Sequence, residues 1–299
     1  MNVSPISAAV SQALPPAITL RPLAATYGVE ADLAGRDAAE RQSFVAGLPG
    51  LLARHKVLVI RNAHLDRAAL YGLGQQLGAP MRYAFSEGVE GFPELIEIHR
   101  TAAQKTALST MWHSDSTYLA TPPDATLLYG VLIPPFGGTT LFADTVAAFE
   151  DLSPGMRDTL RMLNVVQRSD THANNERLAH LSKPKEARTP LSAVHPAIKV
   201  SDGVEALYVS QEHTAHFEGM TSEESQPLID FLMRHIAADK YRLEIVWQPG
   251  TLVLFDNRKT IHRAIDNYYG HERTLWRLIV GLPAYASQRR DAEALREAA

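Results

Sequence analysis

Short apolar runs bounded by turn residues recur along the chain and predict β-strands. The longest runs are ATLLYGVLI at 125–133 and RTLWRLIV at 273–280, and KVLVIR at 56–61 is typical of a buried strand. Further strands are predicted at 95–99, in TTLFA after the turn at 134–138, at 207–210, and in TLVLFDN after Pro249-Gly250.

Helical periodicity marks fewer segments, and each has its own start or stop signal. The predicted helices are 38–55, interrupted at Pro49-Gly50; 65–77, closed by Gly78; 153–163, with Ser153 as N-cap; and 221–238, opened by a capping box in TSEE.

Helices thus cluster early and near 221–238, whereas strands are scattered, and no βαβ alternation, phosphate loop or repeat is found. The pattern favours a mainly β fold, an antiparallel sandwich or barrel with peripheral helices. We expect a loose leader at 1–20, one domain over 21–285 and a charged tail at 286–299. The polar, Pro- and Lys-rich stretch at about 168–192 predicts a lid loop.

Composition narrows the possible functions. The chain has 299 residues, 45% of them hydrophobic, which is enough for a sizeable core. A net charge of −4 favours neither a nucleic-acid nor a membrane partner. The absence of cysteine excludes disulfides and thiolate metal sites. The first basic residue is Arg21, so we expect no secretory signal and a cytoplasmic location.

Three His-X-acid motifs are candidate metal ligands. On a strand, residues two apart share a face with Cα atoms roughly 6–7 Å apart, so both could reach one ion. Asp66 of His64-Leu65-Asp66 precedes a helix and is better explained as an N-cap. His216-Phe217-Glu218 lies before Gly219 and a capped helix, which favours a loop.

The third motif, His113-Ser114-Asp115, lies between aromatic residues in MWHSDSTYL and is the best candidate. A buried, mutually hydrogen-bonded His and Asp would give the same pattern. His262 is the best candidate for a third ligand. Two His and one carboxylate form the facial triad associated with non-heme iron(II) oxygenases.

Two arginines alternate on the last predicted strand. Arg273 and Arg277 share one face, and the opposite face is largely apolar, so the strand is predicted to be covered on both sides. Arginines on a covered face need anions. Carboxylate side chains of the protein and an anionic ligand both remain open as partners.

Several segments together resemble the taurine dioxygenase and 2,4-dichlorophenoxyacetate dioxygenase family of Fe(II)/2-oxoglutarate oxygenases. They occur in the family's order over about 55–283: VLVIRNAHLDRAALYGLGQQLGAP, WHSDSTY, PPFGGTTLFAD, HPAIKVSDGVEALYVS, LFDNRKTIHRAIDNY and RTLWR. The spacing from His262 to the two arginines also agrees with the family.

The resemblance implies a double-stranded β-helix core, a jelly roll of the cupin-like kind. It implies that Fe(II) is bound by His113, Asp115 and His262, and that 2-oxoglutarate and O2 are co-substrates. Thr140 and Arg273 are implied to bind 2-oxoglutarate, and Arg277 to lie near its C1 carboxylate and the anionic end of the substrate. The implied residues of the substrate pocket are Tyr83, Ser109, Tyr118 and Arg277.

Three positions depart from the family pattern: Thr139 replaces Asp before the co-substrate threonine, Phe255 replaces Trp, and Ser109 replaces the Asn of the taurine enzyme. The expected partner is a small-molecule substrate, such as a sulfonate, a sulfate, an aryloxy acid or an amino-acid derivative. Assembly into a dimer or tetramer is left open. The alternatives are a cupin-like metalloenzyme without 2-oxoglutarate and a non-catalytic sensor on the same fold.

Overall fold

The computed structural model describes residues 18–104, 110–171 and 189–283. Most regular structure in these residues is β. The strands are β1 (Leu20–Pro22), β2 (Val29–Asp32), β3 (Val57–Arg61), β4 (Ala79–Met81), β5 (Leu95–Arg100), β6 (Ala125–Leu132), β7 (Thr140–Asp144), β8 (Asn164–Arg168), β9 (Ser192–Pro196), β10 (Ile198–Ser201), β11 (Val204–Leu207), β12 (Thr214–Phe217), β13 (Arg242–Ile245), β14 (Leu252–Asp256), β15 (Thr260–Ala264) and β16 (Arg273–Gly281).

The α-helices are peripheral. They are α1 (Ala38–His55), α2 (Arg67–Leu77), α3 (Thr145–Glu150), α4 (Pro154–Arg161) and α5 (Ser222–Ile236), and a 3-10 turn follows at Asp239–Tyr241. Among the described residues, none of these helices combines the length and the hydropathy needed to cross a bilayer.

Two sheets form the centre of the fold, and their strands are antiparallel except for the parallel pair β2–β3. The large sheet has the order β1-β2-β3-β14-β6-β16-β4, and β5 pairs with β16 beside β4. The small sheet has the order β13-β7-β15. Apolar side chains from both sheets pack between them: Val57, Val59, Leu128, Phe142, Leu243, Ile245, Trp247, Val253, Phe255 and Leu275.

Helices cover the outside of this core. Side chains of α1 and α2, including Phe44, Leu48 and Leu70, pack on the other face of the large sheet. The helices α3, α4 and α5 pack with the strands β8, β11 and β12 in a second cluster. The structure therefore has the predicted mainly β fold with peripheral helices.

The helix ends follow from local chemistry. Asp66 accepts a hydrogen bond of 2.7 Å from the amide of Ala69, which confirms its role as the N-cap of α2. Thr221 and Glu224 form the predicted capping box of α5. The predicted interruption of α1 was wrong, because the helix continues through Pro49 while Leu48 and Leu52 anchor it in the core.

Several predicted boundaries need correction. The strand predicted at 207–210 lies earlier, at β11, where the turn at Asp202-Gly203 sets the register of the β10–β11 hairpin. Ile18 is buried and β1 begins at Leu20, whereas residues 1–17 of the predicted leader lie outside the described residues. Residues 172–188 of the predicted lid and the predicted tail at 286–299 lie outside the described residues.

Candidate active site

His113, Asp115 and His262 come together between the two sheets. One ligand atom from each lies within 4.8 Å of the other two, and all three residues are buried. Among the described residues, this is the only group of at least three His or acidic side chains that could hold a metal ion. The sequence placed these residues in one site, and the structure brings them together.

The local backbone differs from the predicted strand. His113 makes an isolated bridge to His262, in which the amide of each donates to the carbonyl of the other at 2.9 and 2.7 Å. The chain then leaves the ladder at a turn, with Ser116 at φ 51°. Asp115 therefore faces the metal-ligand cluster from a turn, and not through the alternation of a strand.

Both carboxylate oxygens and the backbone amide of Asp115 make hydrogen bonds. Its Oδ2 accepts from the Thr126 hydroxyl at 2.7 Å, and its Oδ1 accepts from Arg277 at 3.1 Å. The Asn257 side chain accepts from the amide of Asp115 and donates to Thr126. Burial by itself would raise the pKa of Asp115, but Arg277, the two histidines and Thr126 outweigh it and lower that pKa. The carboxylate is therefore ionised and oriented.

The histidine rings fit a divalent cation. Nδ1 of His113 lies 2.8 Å from the carbonyl oxygen of Met111, whereas its Nε2 is buried without a hydrogen-bond partner. The ring centroids of His113 and His262 are 4.2 Å apart. Two imidazoles and one carboxylate with converging ligand atoms are a donor set suited to iron.

Arg273 is a buried cation that lacks a carboxylate partner. It is 6% exposed, and its Nε and Nη2 make no hydrogen bond to the described residues. Burial lowers its pKa, the Tyr268 hydroxyl opposes this, and the charge of Arg100 adds to the lowering. An unpaired buried charge is costly, so this guanidinium is suited to an anionic ligand.

Thr140 and Arg273 both lie against the side chain of Trp247. Its hydroxyl oxygen accepts from the indole N–H of Trp247 at 3.0 Å, and the Trp247 ring lies 5.7 Å from the Arg273 guanidinium carbon. Gly138 (φ 64°) lets the preceding loop approach closely, since a Cβ there would lie 3.1 Å from the Tyr268 ring. The Thr140 hydroxyl and a guanidinium without a carboxylate partner among the described residues thus lie together beside the aromatic rings of Trp247 and Tyr268.

Arg277 is nearer the metal-ligand cluster. It donates to Asp115, and its guanidinium carbon lies 4.5 Å from the centroid of the Tyr83 ring. Tyr83 and Tyr118 are both buried, and each packs against Phe85. Tyr118 also makes an edge contact with His213 at 5.0 Å. Both predicted pocket tyrosines are therefore beside the site, whereas Ser109 lies outside the described residues.

The two family departures within the described residues have clear local partners. Thr139 donates to Glu244 at 2.7 Å, in the strand that pairs with β7. The ring of Phe255 is 4.7 Å from the ring of His262, so an aromatic side chain still packs against that histidine.

The other two His-X-acid motifs do not belong to this metal-ligand cluster. His64 is exposed beside the N-cap Asp66. His216 lies in β12 and not in the predicted loop, because it pairs with Val166 of β8. Glu218 bonds to the side chain of Asn164.

Sequence reasoning missed several residues that shape the site: Thr126, Glu212, His213, Trp247 and Tyr268. They come from separate strands and loops that meet only in the folded chain, and no local spacing marks them. Tyr268 alone stood within a quoted motif, LFDNRKTIHRAIDNY, at its distal end.

Known proteins are similar to this chain in both sequence and fold. The chain is 27% identical to an alpha-ketoglutarate-dependent sulfate ester dioxygenase of Pseudomonas putida, over 78% of this chain and 79% of the relative. It is 30% identical to an alpha-ketoglutarate-dependent sulfonate dioxygenase of Saccharomyces cerevisiae, over 73% of this chain and 56% of that longer relative.

A solved structure of a taurine dioxygenase from Burkholderia xenovorans superimposes with a TM-score of 0.70 and 29% identity, covering 89% of this chain and 91% of the other. This likeness confirms the predicted jelly-roll core. The family model described as taurine catabolism dioxygenase TauD, TfdA family matches residues 19–279. The chain therefore belongs to the TauD/TfdA dioxygenase family.

Proposed function

We propose that this chain uses Fe(II), 2-oxoglutarate and O2 to hydroxylate a small anionic organic substrate, with release of succinate and CO2. Family membership makes it a 2-oxoglutarate-dependent dioxygenase. The observation that carries the assignment of individual residues is Arg273, a buried guanidinium without a carboxylate partner among the described residues, close to a His-Asp-His cluster.

His113, Asp115 and His262 would hold the iron. Iron with 2-oxoglutarate supplies the chemistry of the class, in which oxidative decarboxylation of the co-substrate is coupled to substrate hydroxylation. The protein's own residues bind, orient and exclude water. Thr126 and Arg277 keep Asp115 ionised and fix its two oxygens, so the carboxylate needs no rearrangement to bind a cation.

Arg273 would bind the C5 carboxylate of 2-oxoglutarate. Its free Nε and Nη2 can form the planar, two-point contact that an arginine makes with a carboxylate. Thr140 and the indole of Trp247 complete the polar wall of that pocket.

Arg277 would orient the anionic group of the substrate. The guanidinium lies between Asp115 and the Tyr83 ring, and its Nε has no hydrogen-bond partner among the described residues. The rings of Tyr83, Phe85 and Tyr118 lie on the same side of the site. A sulfate ester, a sulfonate or an aryloxy acid would place its charge on Arg277 and its organic body toward these rings.

The test is succinate formation with Fe(II), 2-oxoglutarate and a panel of alkyl sulfates, sulfonates, aryloxy acids and amino-acid derivatives. Succinate release that depends on Fe(II), and that rises with one substrate class, supports the proposal. Metal binding without any succinate would favour the cupin-like alternative, and ligand binding without turnover would favour a sensor. A cytoplasmic location stays a prediction, as does assembly into a dimer or tetramer.

A further inference from the structure

A buried carboxylate lies behind the imidazole of His113. Glu212 is 1% exposed, and its Oε2 is 3.2 Å from Nδ1 of His113. Glu212 belongs to the turn between β11 and β12, outside every motif that the sequence analysis singled out. This distance places the Glu212 carboxylate beside the imidazole of a candidate metal ligand.

The backbone holds Glu212 against the residue that precedes the metal ligand. The amides of Gln211 and Glu212 both donate to the carbonyl of Trp112, at 3.0 and 3.2 Å. The hydroxyl of Thr171 donates to the carbonyl of Glu212. The carboxylate is thus tied to the same stretch of backbone as His113, and its distance from the ring is set by the fold.

The two neighbours of Nδ1 have separable effects. The carbonyl of Met111, at 2.8 Å, accepts the N–H of Nδ1 and so leaves the lone pair on Nε2. Nε2 is the buried atom without a hydrogen-bond partner, within the cluster that also contains Asp115 and His262. The Met111 carbonyl therefore suffices to select the tautomer, and Glu212 adds a negative charge beside the protonated nitrogen.

We propose that Glu212 is a positioning residue that strengthens His113 as a metal ligand. A carboxylate on the far side of a ligating imidazole raises its basicity and fixes its ring orientation, and removal of such a partner commonly weakens metal binding about 10- to 100-fold. The inference rests on the proposed metal site and extends it to a residue that does not touch the metal.

Two substitutions separate charge from shape. Glu212→Gln keeps the side-chain length and an acceptor oxygen but removes the charge, whereas Glu212→Ala removes both. The matched control is Glu218→Gln, six residues further along the chain, because Glu218 is exposed and its carboxylate accepts a hydrogen bond from the side chain of Asn164.

Mn(II) affinity of the metal-free protein is measured by titration with electron paramagnetic resonance, and thermal unfolding checks that each variant folds. We expect E212Q to bind Mn(II) about 10- to 100-fold more weakly than the wild type, with E212A at least as weak and E218Q unchanged. In the Co(II)-loaded protein, E212Q should also shift the visible absorption of the metal, because the field of the His113 ligand changes. The visible absorption of the Co(II)-loaded E218Q variant should match that of the wild type.

Wild-type Mn(II) affinity in a folded E212Q variant would overturn the inference and leave the metal site intact. Failure of the wild type to bind Mn(II) would overturn both the metal site and this inference. If E212Q does not fold, Glu212→Asp replaces it, because the shorter side chain withdraws the charge from Nδ1. Unchanged affinity in that variant would equally contradict the proposal.

Discussion

Arg100 and Arg273 are cross-strand partners whose guanidinium groups pack against the same aromatic ring, that of Tyr268. Their guanidinium carbons lie 4.3 and 5.8 Å from its centroid. Arg100 is paired with Asp266 at 2.8 Å, whereas Arg273 has no carboxylate within ion-pair distance among the described residues. One of two adjacent buried cations is thus neutralised by the protein, and the other is left for a ligand.

Tyr268→Phe should weaken 2-oxoglutarate binding. The Tyr268 hydroxyl bonds to Arg273, so its loss leaves the guanidinium less well oriented. A typical hydrogen bond predicts an affinity about two- to tenfold lower. Anaerobic titration of 2-oxoglutarate into the metal-loaded protein measures it. Tyr269→Phe is the control, since that neighbouring ring is 65% exposed. Equal losses in both variants would contradict the assigned role of Tyr268.

Arg273→Lys should weaken 2-oxoglutarate binding more strongly. The ammonium keeps the charge but loses the planar pair of donors, and a hydrogen bond to a charged group is worth about 1.5–3 kcal/mol, roughly 10- to 150-fold in affinity. The same titration measures it, with exposed Arg54→Lys as the control. Normal binding by the Arg273 variant would make the cupin-like alternative the better interpretation.

Arg277→Lys should change coupling more than co-substrate affinity. The residue touches Asp115 and Tyr83, on the side of the site where we place the substrate's anionic group. A poorly oriented substrate allows 2-oxoglutarate to be consumed without product, so more succinate should form per product molecule. The succinate-to-product ratio is compared with that of Arg273→Lys at saturating 2-oxoglutarate. A ratio equal to the wild type would count against this placement.

His262→Ala should abolish high-affinity metal binding and turnover. It removes one of three ligands that no other described His or acidic side chain can replace. Fe(II) or Mn(II) titration gives the metal affinity, and succinate release gives turnover. His64→Ala is the matched control because that residue is exposed in a competing His-X-Asp motif. Loss of metal binding in the His64 variant alone would show that the wrong motif was chosen.

Two glycines of α2, Gly72 inside the helix and Gly78 at its C-cap, should respond in opposite ways. A Cβ at Gly78 would lie 2.2 Å from the backbone oxygen of Gly281, whereas a Cβ at Gly72 has open space. Gly78→Ala should lower the free energy of unfolding by about 1–3 kcal/mol. Gly72→Ala should raise it by about 0.5–1 kcal/mol, because alanine favours a helix. Urea unfolding of both variants checks the contrast; two equally stable variants would contradict the close contact.

The sequence predicted features that depend on neighbouring residues. Asp66 and Thr221 are caps whose partners lie within one turn, and the two-residue alternation of β16 correctly placed both arginines on a covered face. The triad required long-range information, which came from the order of motifs along the chain and not from the His-X-Asp spacing.

The remaining features depend on packing between distant segments. Pro49 does not end α1, since the buried side chains of that helix outweigh the lost hydrogen bond. Trp247 reaches Thr140 from a loop after another strand, and Glu212 reaches His113 across a turn. Such contacts leave no periodic pattern in the sequence, because each forms only when separate strands meet.

Because a reciprocal backbone bridge joins His113 and His262, the metal site forms only when the chain has folded. These residues stand in distant parts of the chain, so their ring nitrogens converge only after both parts have been assembled. A cation held by these residues binds the native chain and not the unfolded one. It therefore stabilises the native chain by RT ln(1 + [metal]/Kd). The concentration of free metal would then determine the stability of the protein as well as its activity.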